Sequence, residues 1–178
     1  MREPATYSPT QKLLHWAVAL IVVEQVIVAL AMTNVGEGPL QNQLYEMHKS
    51  FGLVVLALVL ARVLVRLSRG APAPEDGIPG WQRVAARVSH ASLYLLILIV
   101  PLLGWAGTSA CCAPVNLFGA LPLTLPISGG MPVGEAILKV HGAAAFALTA
   151  LVGVHVAAAL HHHVVRRDGT LRRMLAGG

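Results

Sequence analysis

The chain has 178 residues, of which 56% are hydrophobic and only 12% charged, and its mean hydropathy is +0.68. A soluble domain carries about a quarter of its residues as Asp, Glu, Lys and Arg, so this composition describes a membrane protein. Thirteen Lys and Arg against eight Asp and Glu give a net charge of +5, but the basic residues gather at the ends of apolar runs, which points to membrane topology and away from a nucleic-acid partner.

Four stretches are long and apolar enough to cross a bilayer, which takes about 20 residues: residues 13–32, 51–67, 91–109 and 136–160. The first follows Lys12 and reaches the small-residue triplet Ala29-Leu30-Ala31, as a secretory leader does, but it exceeds the usual apolar core of about 7–15 residues and is expected to remain as a helix. The connection from Gly70 to Gly80, Gly-Ala-Pro-Ala-Pro-Glu-Asp-Gly-Ile-Pro-Gly, reads as an irregular hinge, with Trp81 to Val88 as a short amphipathic lead into the third span. The third connection, Cys111 to Val133, is long and apolar with four prolines, and is expected to pack across the end of the bundle as a structured cap. The prediction is an all-α, integral membrane four-helix bundle, one domain over residues 1–178.

Orientation follows from charge. Arg2 and Lys12 precede the first span, Arg62, Arg66, Arg69, Arg83 and Arg87 surround the second connection, and Arg166, Arg167, Arg172 and Arg173 follow the fourth span. Only Lys49 and Lys139 fall on the other side. By the positive-inside rule both termini and the second connection are cytoplasmic, with the first and third connections outside.

Eight histidines in so apolar a chain call for a functional reading, because ionisable groups at membrane depth are costly and usually face the bundle interior. His141 and His155 lie fourteen residues apart on the fourth span, about 1400° of rotation and ~21 Å of rise, so they share one face near opposite surfaces. His15 begins the first span and His48 the second, at opposite depths. Depth pairs His48 with His141 outside and His15 with His155 inside. Two bis-histidine sites without a nearby carboxylate or thiolate suit six-coordinate b haems better than zinc, and the absence of C-x-x-C-H excludes covalent c-type attachment. His90, at the start of the third span, competes with His15 as partner of His155, and spacing alone leaves both open.

Leu14-His15-Trp16, Met47-His48-Lys49-Ser50-Phe51-Gly52, His90-Ala-Ser-Leu-Tyr94 with Pro101 and Gly104, Lys139-Val-His141, Gly153-Val-His155, the run His161-His162-His163 and Asp168-Gly-Thr-Leu-Arg172-Arg-Met174 resemble the bacterial cytochrome b-561 family across essentially the whole chain. The resemblance implies a four-helix di-haem cytochrome b of the bacterial inner membrane that exchanges electrons with ubiquinone, with His15, His48, His141 and His155 as axial ligands. It leaves His90 as a neighbour of the inner haem or of the quinone pocket. The superoxide oxidase branch of the family implies oxidation of periplasmic superoxide. The chain departs from many relatives at Cys111-Cys112-Ala-Pro, where they carry a small polar stretch near the outer haem, so the donor stays open between superoxide and another small periplasmic species.

Other residues fit this scheme. Lys49 and Lys139 adjoin the outer ligands and would draw a small anion such as superoxide, or pair with haem propionates or with Glu46 and Glu135. His162, seven residues beyond His155 and on nearly the same face, is placed to meet a quinone or an inner propionate, whereas His161 and His163 point away. Arg83 is a candidate anion or quinone partner that equally suits a lipid headgroup. Glu24, nine residues from His15, falls on the opposite face; an intramembrane carboxylate is a functional candidate by default, and a neutral, hydrogen-bonded helix contact is an equally good reading. Cys111 and Cys112 are expected to be free thiols, since adjacent residues fall short of the usual Cα separation for a disulfide. Two other roles are compatible with the chain: the membrane anchor of a larger dehydrogenase or hydrogenase, and a haem or metal transporter or sensor.

Overall fold

A computed structural model describes residues 6–75 and 77–175; Arg2, one of the residues used for orientation, lies outside them. Four helices carry nearly all of the regular structure: α1 Pro9–Asn34, α2 Pro39–Arg69, α3 Gly80–Cys111 and α4 Gly130–His161. Each contains one expected apolar run and is long and apolar enough to span a membrane. The protein is therefore an all-α, multi-pass membrane four-helix bundle. Every helix outruns its apolar stretch, because backbone hydrogen bonding continues into the polar flanks: the 32 residues of α3 extend roughly 48 Å, against a hydrocarbon core of about 30 Å. Trp81 to Val88 is accordingly the first part of α3 and not a separate segment.

The start of α1 shows how local sequence sets position. Ser8 accepts from the Gln11 backbone N–H while the Gln11 side chain accepts from the Ser8 N–H, a reciprocal cap with Pro9 in the first turn. Gln11 is buried, and its Nε2 donates to the Gly70 carbonyl at 2.8 Å, tying the beginning of α1 to the end of α2. The chain's end closes over the same place: Trp16 Nε1 donates to Met174 O at 2.9 Å and Lys12 Nζ to Leu175 O at 2.7 Å.

At the opposite end, the third connection folds into a hairpin, β1 Val115–Leu117 and β2 Leu121–Leu123, antiparallel with Val115 opposite Leu123. It caps the bundle, as expected. Ser50 of α2, only 1% exposed, donates to Asn116 O and accepts from the Phe118 N–H, while Trp105 of α3 donates to Leu123 O.

Packing divides the bundle into halves. α1 lies along α2 and α3 along α4, the halves join along α2 and α3, and α4 makes no comparable contact with α1 or α2. The buried core sits in the first half and along the junction: Val18, Val55 and Val59, flanked by Ile21, Val22, Leu58, Val63, Ile97 and Leu98. In the second half, α3 and α4 approach closely at Gly107 and Gly134. A Cβ on Gly107 would lie 2.7 Å from Leu138 Cγ, and one on Gly134 would lie 2.6 Å from Cys111 Sγ, the small-residue contact by which membrane helices pack without a hydrophobic drive.

The cysteines correct the expectation of free thiols. Cys111 and Cys112 are joined as an adjacent-residue disulfide across a Cα separation of 3.7 Å. That is the spacing of consecutive residues across a trans peptide, so the ring closes where α3 ends without a second segment of chain.

Candidate cofactor sites

Antiparallel helices bring the histidines to two levels. At the end of the bundle that carries the termini, His15 of α1 and His155 of α4 have ring centres 6.4 Å apart, with His90 of α3 5.4 Å from His155. At the hairpin end, His48 of α2 and His141 of α4 lie 6.1 Å apart. The pairs His15–His155 and His48–His141 each join α4 to a helix of the other half, with which it shares no extensive contact, whereas His90 and His155 lie within the second half. Both histidine pairs therefore face each other across a gap left between the halves.

The pair at the hairpin end is held in detail. His141 Nδ1 donates to the Val100 carbonyl at 2.8 Å, which orients the ring and leaves Nε2 toward the gap. Gly104 makes room for it: a Cβ there would lie 3.1 Å from His141 Cε1. His48 Nδ1 is buried without a hydrogen-bond partner, a costly arrangement for a ring nitrogen unless something else meets the imidazole.

His162, the residue after α4's last, opens a π-helical turn, His162–Arg166, ended by Arg167 in the left-handed region at φ 56°. The turn brings Asp168 back to it: His162 Nδ1 donates to Asp168 Oδ2 at 2.6 Å, and Arg166 Nε to the same oxygen at 3.3 Å. Burial would raise the Asp168 pKa, but hydrogen bonds from His162 and Thr170 outweigh it and hold the carboxylate below its usual range. Arg166 also reaches Gln82 and the Gly77 carbonyl, locking the tail to the second connection. His161 and His163 are exposed.

Lys49 is ion-paired with Glu46, while Lys139 is exposed. Arg83 is exposed on α3 and is not brought to either histidine level by any contact. Glu24 Oε2 accepts from Gln25, and its Oε1 is buried without a partner. One cluster was missed by the sequence reading: Arg62 Nε donates to Tyr94 Oη at 3.0 Å, and the guanidinium carbons of Arg62 and Arg66 lie 5.7 and 5.8 Å from the Tyr94 ring centre. The signal was available, since Arg62 follows His48 by the same fourteen residues that separate His141 from His155.

A bundle of four membrane helices with paired histidines stacked along one of them defines a membrane electron-transfer protein of the cytochrome b type. The family described as prokaryotic cytochrome b561 matches residues 6–177. The chain is 31% identical over 176 residues to cytochrome b561 homolog 2 of Escherichia coli, covering 97% of this chain and 92% of that one. It is 31% identical to cytochrome b562 of Cereibacter sphaeroides, covering 98% of each. It is 29% identical to the probable superoxide oxidase CybB of Yersinia pestis, covering 95% of each. The chain belongs to the prokaryotic cytochrome b561 family, and membership implies b-type haem.

The residues present fit that cofactor. A metal ion sits about 2.0–2.1 Å from a histidine nitrogen, so two imidazoles facing one ion stand roughly 6–6.5 Å apart between ring centres. The 6.4 and 6.1 Å pairs lie in that range, and the 5.4 Å separation of His90 from His155 lies below it. Among the described residues no three His, Cys, Asp or Glu gather as a closed metal shell, which suits axial ligation of a macrocycle. The donor set and the two ring separations agree on a flat group held between two imidazoles.

Proposed function

We propose that the protein is a single-domain di-haem cytochrome of the bacterial inner membrane, with both termini cytoplasmic, that oxidises a small periplasmic donor, superoxide foremost, and reduces ubiquinone. The observation that carries this is the pair of two-histidine gaps at opposite ends of α4. His48 and His141 hold the outer haem, His15 and His155 the inner one. Bound there, the haems supply one-electron carriers at two depths of the membrane. The overall reaction balances as two superoxide ions, one ubiquinone and two protons giving two dioxygen molecules and one ubiquinol.

The remaining residues steer charge and protons. Lys139, exposed beside His141, and Lys49, beside His48, attract an anion to the outer end, with Glu46 neutralising part of the Lys49 charge. His90 flanks the inner pair. His162, oriented by Asp168 at Nδ1, has Nε2 free to meet a quinone oxygen and pass it a proton, and Arg83 borders the same side of the membrane. The kinship with a probable superoxide oxidase over nearly its full length supports superoxide as the donor.

The test is a reduced-minus-oxidised spectrum of the detergent-purified protein with haem quantification, followed by stopped-flow mixing with superoxide and then a soluble ubiquinone. Two b haems per chain, reduced rapidly by superoxide and reoxidised by quinone, are expected. Two haems inert to superoxide would overturn the donor, and no haem would overturn the ligand set.

A further inference from the structure

Arg62 and Arg66 sit on one face of α2, four residues apart, where like charges repel. Both are half-buried, both lean on the Tyr94 ring, and Tyr94 takes up only the Nε of Arg62. Among the described residues, neither guanidinium has a carboxylate within ion-pair distance: the four ion pairs are Lys49–Glu46, His162–Asp168, Arg166–Asp168 and Arg173–Glu75.

Favourable placement in the last helical turn accounts for Arg66 and Arg69. It does not account for Arg62, two turns inside α2, in a stretch that spans the membrane. Unpaired cations at such depth are expensive and are normally matched by an anion. Arg62 lies within electrostatic reach of His15, His90 and His155, and Arg66 within reach of His90. Tyr7, Gln11 and Met174 line the same pocket as the cluster, on the side of the chain's ends, and the histidines that the two guanidiniums reach lie on its bundle side.

We infer that Arg62 and Arg66, positioned by Tyr94, bind the two propionate carboxylates of the haem held by His15 and His155. This rests on the di-haem reading above. The chemistry is matched in kind and number: b haem carries two carboxylates, and a guanidinium meets a carboxylate through a two-pronged hydrogen bond that an ammonium cannot copy. Tyr94 serves as a positioning residue, keeping both guanidiniums turned toward the gap through its ring and hydroxyl. The arrangement also stabilises the reduced haem, which carries one positive charge fewer than the oxidised form.

The test uses the full-length holoprotein, grown so that an isotope label marks only the haem carboxylates, with Arg62→Gln, Arg66→Gln and Arg62→Lys variants. The His15/His155 haem is assigned by its loss in His15→Ala. In each Gln variant the labelled carboxylate bands in the redox-difference infrared spectrum are expected to shift. The reduction equilibrium of the inner haem should move about tenfold toward the oxidised form, about 59 mV lower for one electron, with the outer haem unchanged. Arg62→Lys should restore most of the potential but not the bands, because it returns charge without the fork. Loss of the inner haem in Arg62→Gln with its retention in Arg62→Lys also supports the assignment. Unchanged labelled bands in both Gln variants, with two haems bound, would overturn it. A wild-type protein without two haems would instead overturn the di-haem reading.

Discussion

Gly104→Ala isolates the packing of one candidate ligand. The added Cβ would sit 3.1 Å from Cε1 and 3.2 Å from Nδ1 of His141, inside the ~3.5–4.0 Å of ordinary contact. His141 cannot simply turn aside, because its Nδ1 is bonded to Val100 O at 2.8 Å. Overpacking of this kind costs about 1–3 kcal/mol, and loosening the hydrogen bond adds about 1 kcal/mol. Replacing glycine by alanine in a helix returns only about 0.5–1 kcal/mol, so the steric cost wins by ~1–3.5 kcal/mol, a factor of roughly 5–400. The assay is haem release to an excess of a soluble haem scavenger, followed spectrally at both sites. The outer haem should leave faster by that factor while the inner haem is unaffected. Gly80→Ala, where an added Cβ meets nothing within 4 Å, serves as control and should match the wild type. Unaltered release from Gly104→Ala would show that His141 is not held as described.

Four further outcomes follow from named contacts. His48→Ala should remove one haem and leave the other visible by pyridine-haemochrome quantification; a folded variant that keeps both would strike His48 from the ligands. Lys139→Gln should slow reduction by superoxide several-fold and flatten its salt dependence, more than Lys49→Gln does, since Lys49 is already paired with Glu46; equal effects would contradict this. Asp168 has a folded pKa below its ordinary value, so its contribution to tail docking is complete above the ordinary carboxylate range and is lost as pH falls through the lowered folded pKa. Limited proteolysis of the tail should therefore be flat from neutrality down to mildly acidic pH and rise only in stronger acid, whereas Asp168→Asn should be cut readily at neutrality. Gly134→Ala, whose Cβ would meet Cys111 and lie 2.9 Å from Gly107 O, should lower thermal stability in detergent more than Gly104→Ala, because the obstacle is backbone and a tethered side chain; the reverse order would refute the close seam.

The spans and the histidine levels were legible because both depend on periodicity along single helices. Apolar length announces a membrane helix, and fourteen residues bring His141 and His155 to one face whatever the rest of the chain does. What the sequence left obscure depends on contacts between segments. Strand pairing of Val115 with Leu123 needs a turn at Phe118 and Gly119, both at positive φ, and Phe118 gives no warning of that conformation. The His162–Asp168 bond depends on a π-helical turn that helical spacing does not anticipate. Arg62 was read only as a topological charge, although its register with His48 placed it inward. The disulfide was misjudged because the usual Cα separation describes bridges between distant segments, and Cys111 with Cys112 closes a local ring.

The separation of α4 from α1 and α2 bears on how the protein is made. His15–His155 and His48–His141 each take one ring from the first helical hairpin and one from the last helix, so a nascent chain stopped after α2 contains neither pair. The first hairpin can insert and pack on its own valine core while leaving no place for a cofactor. Only arrival of the second hairpin brings His155 to His15 and His141 to His48, and α4 brings both rings together.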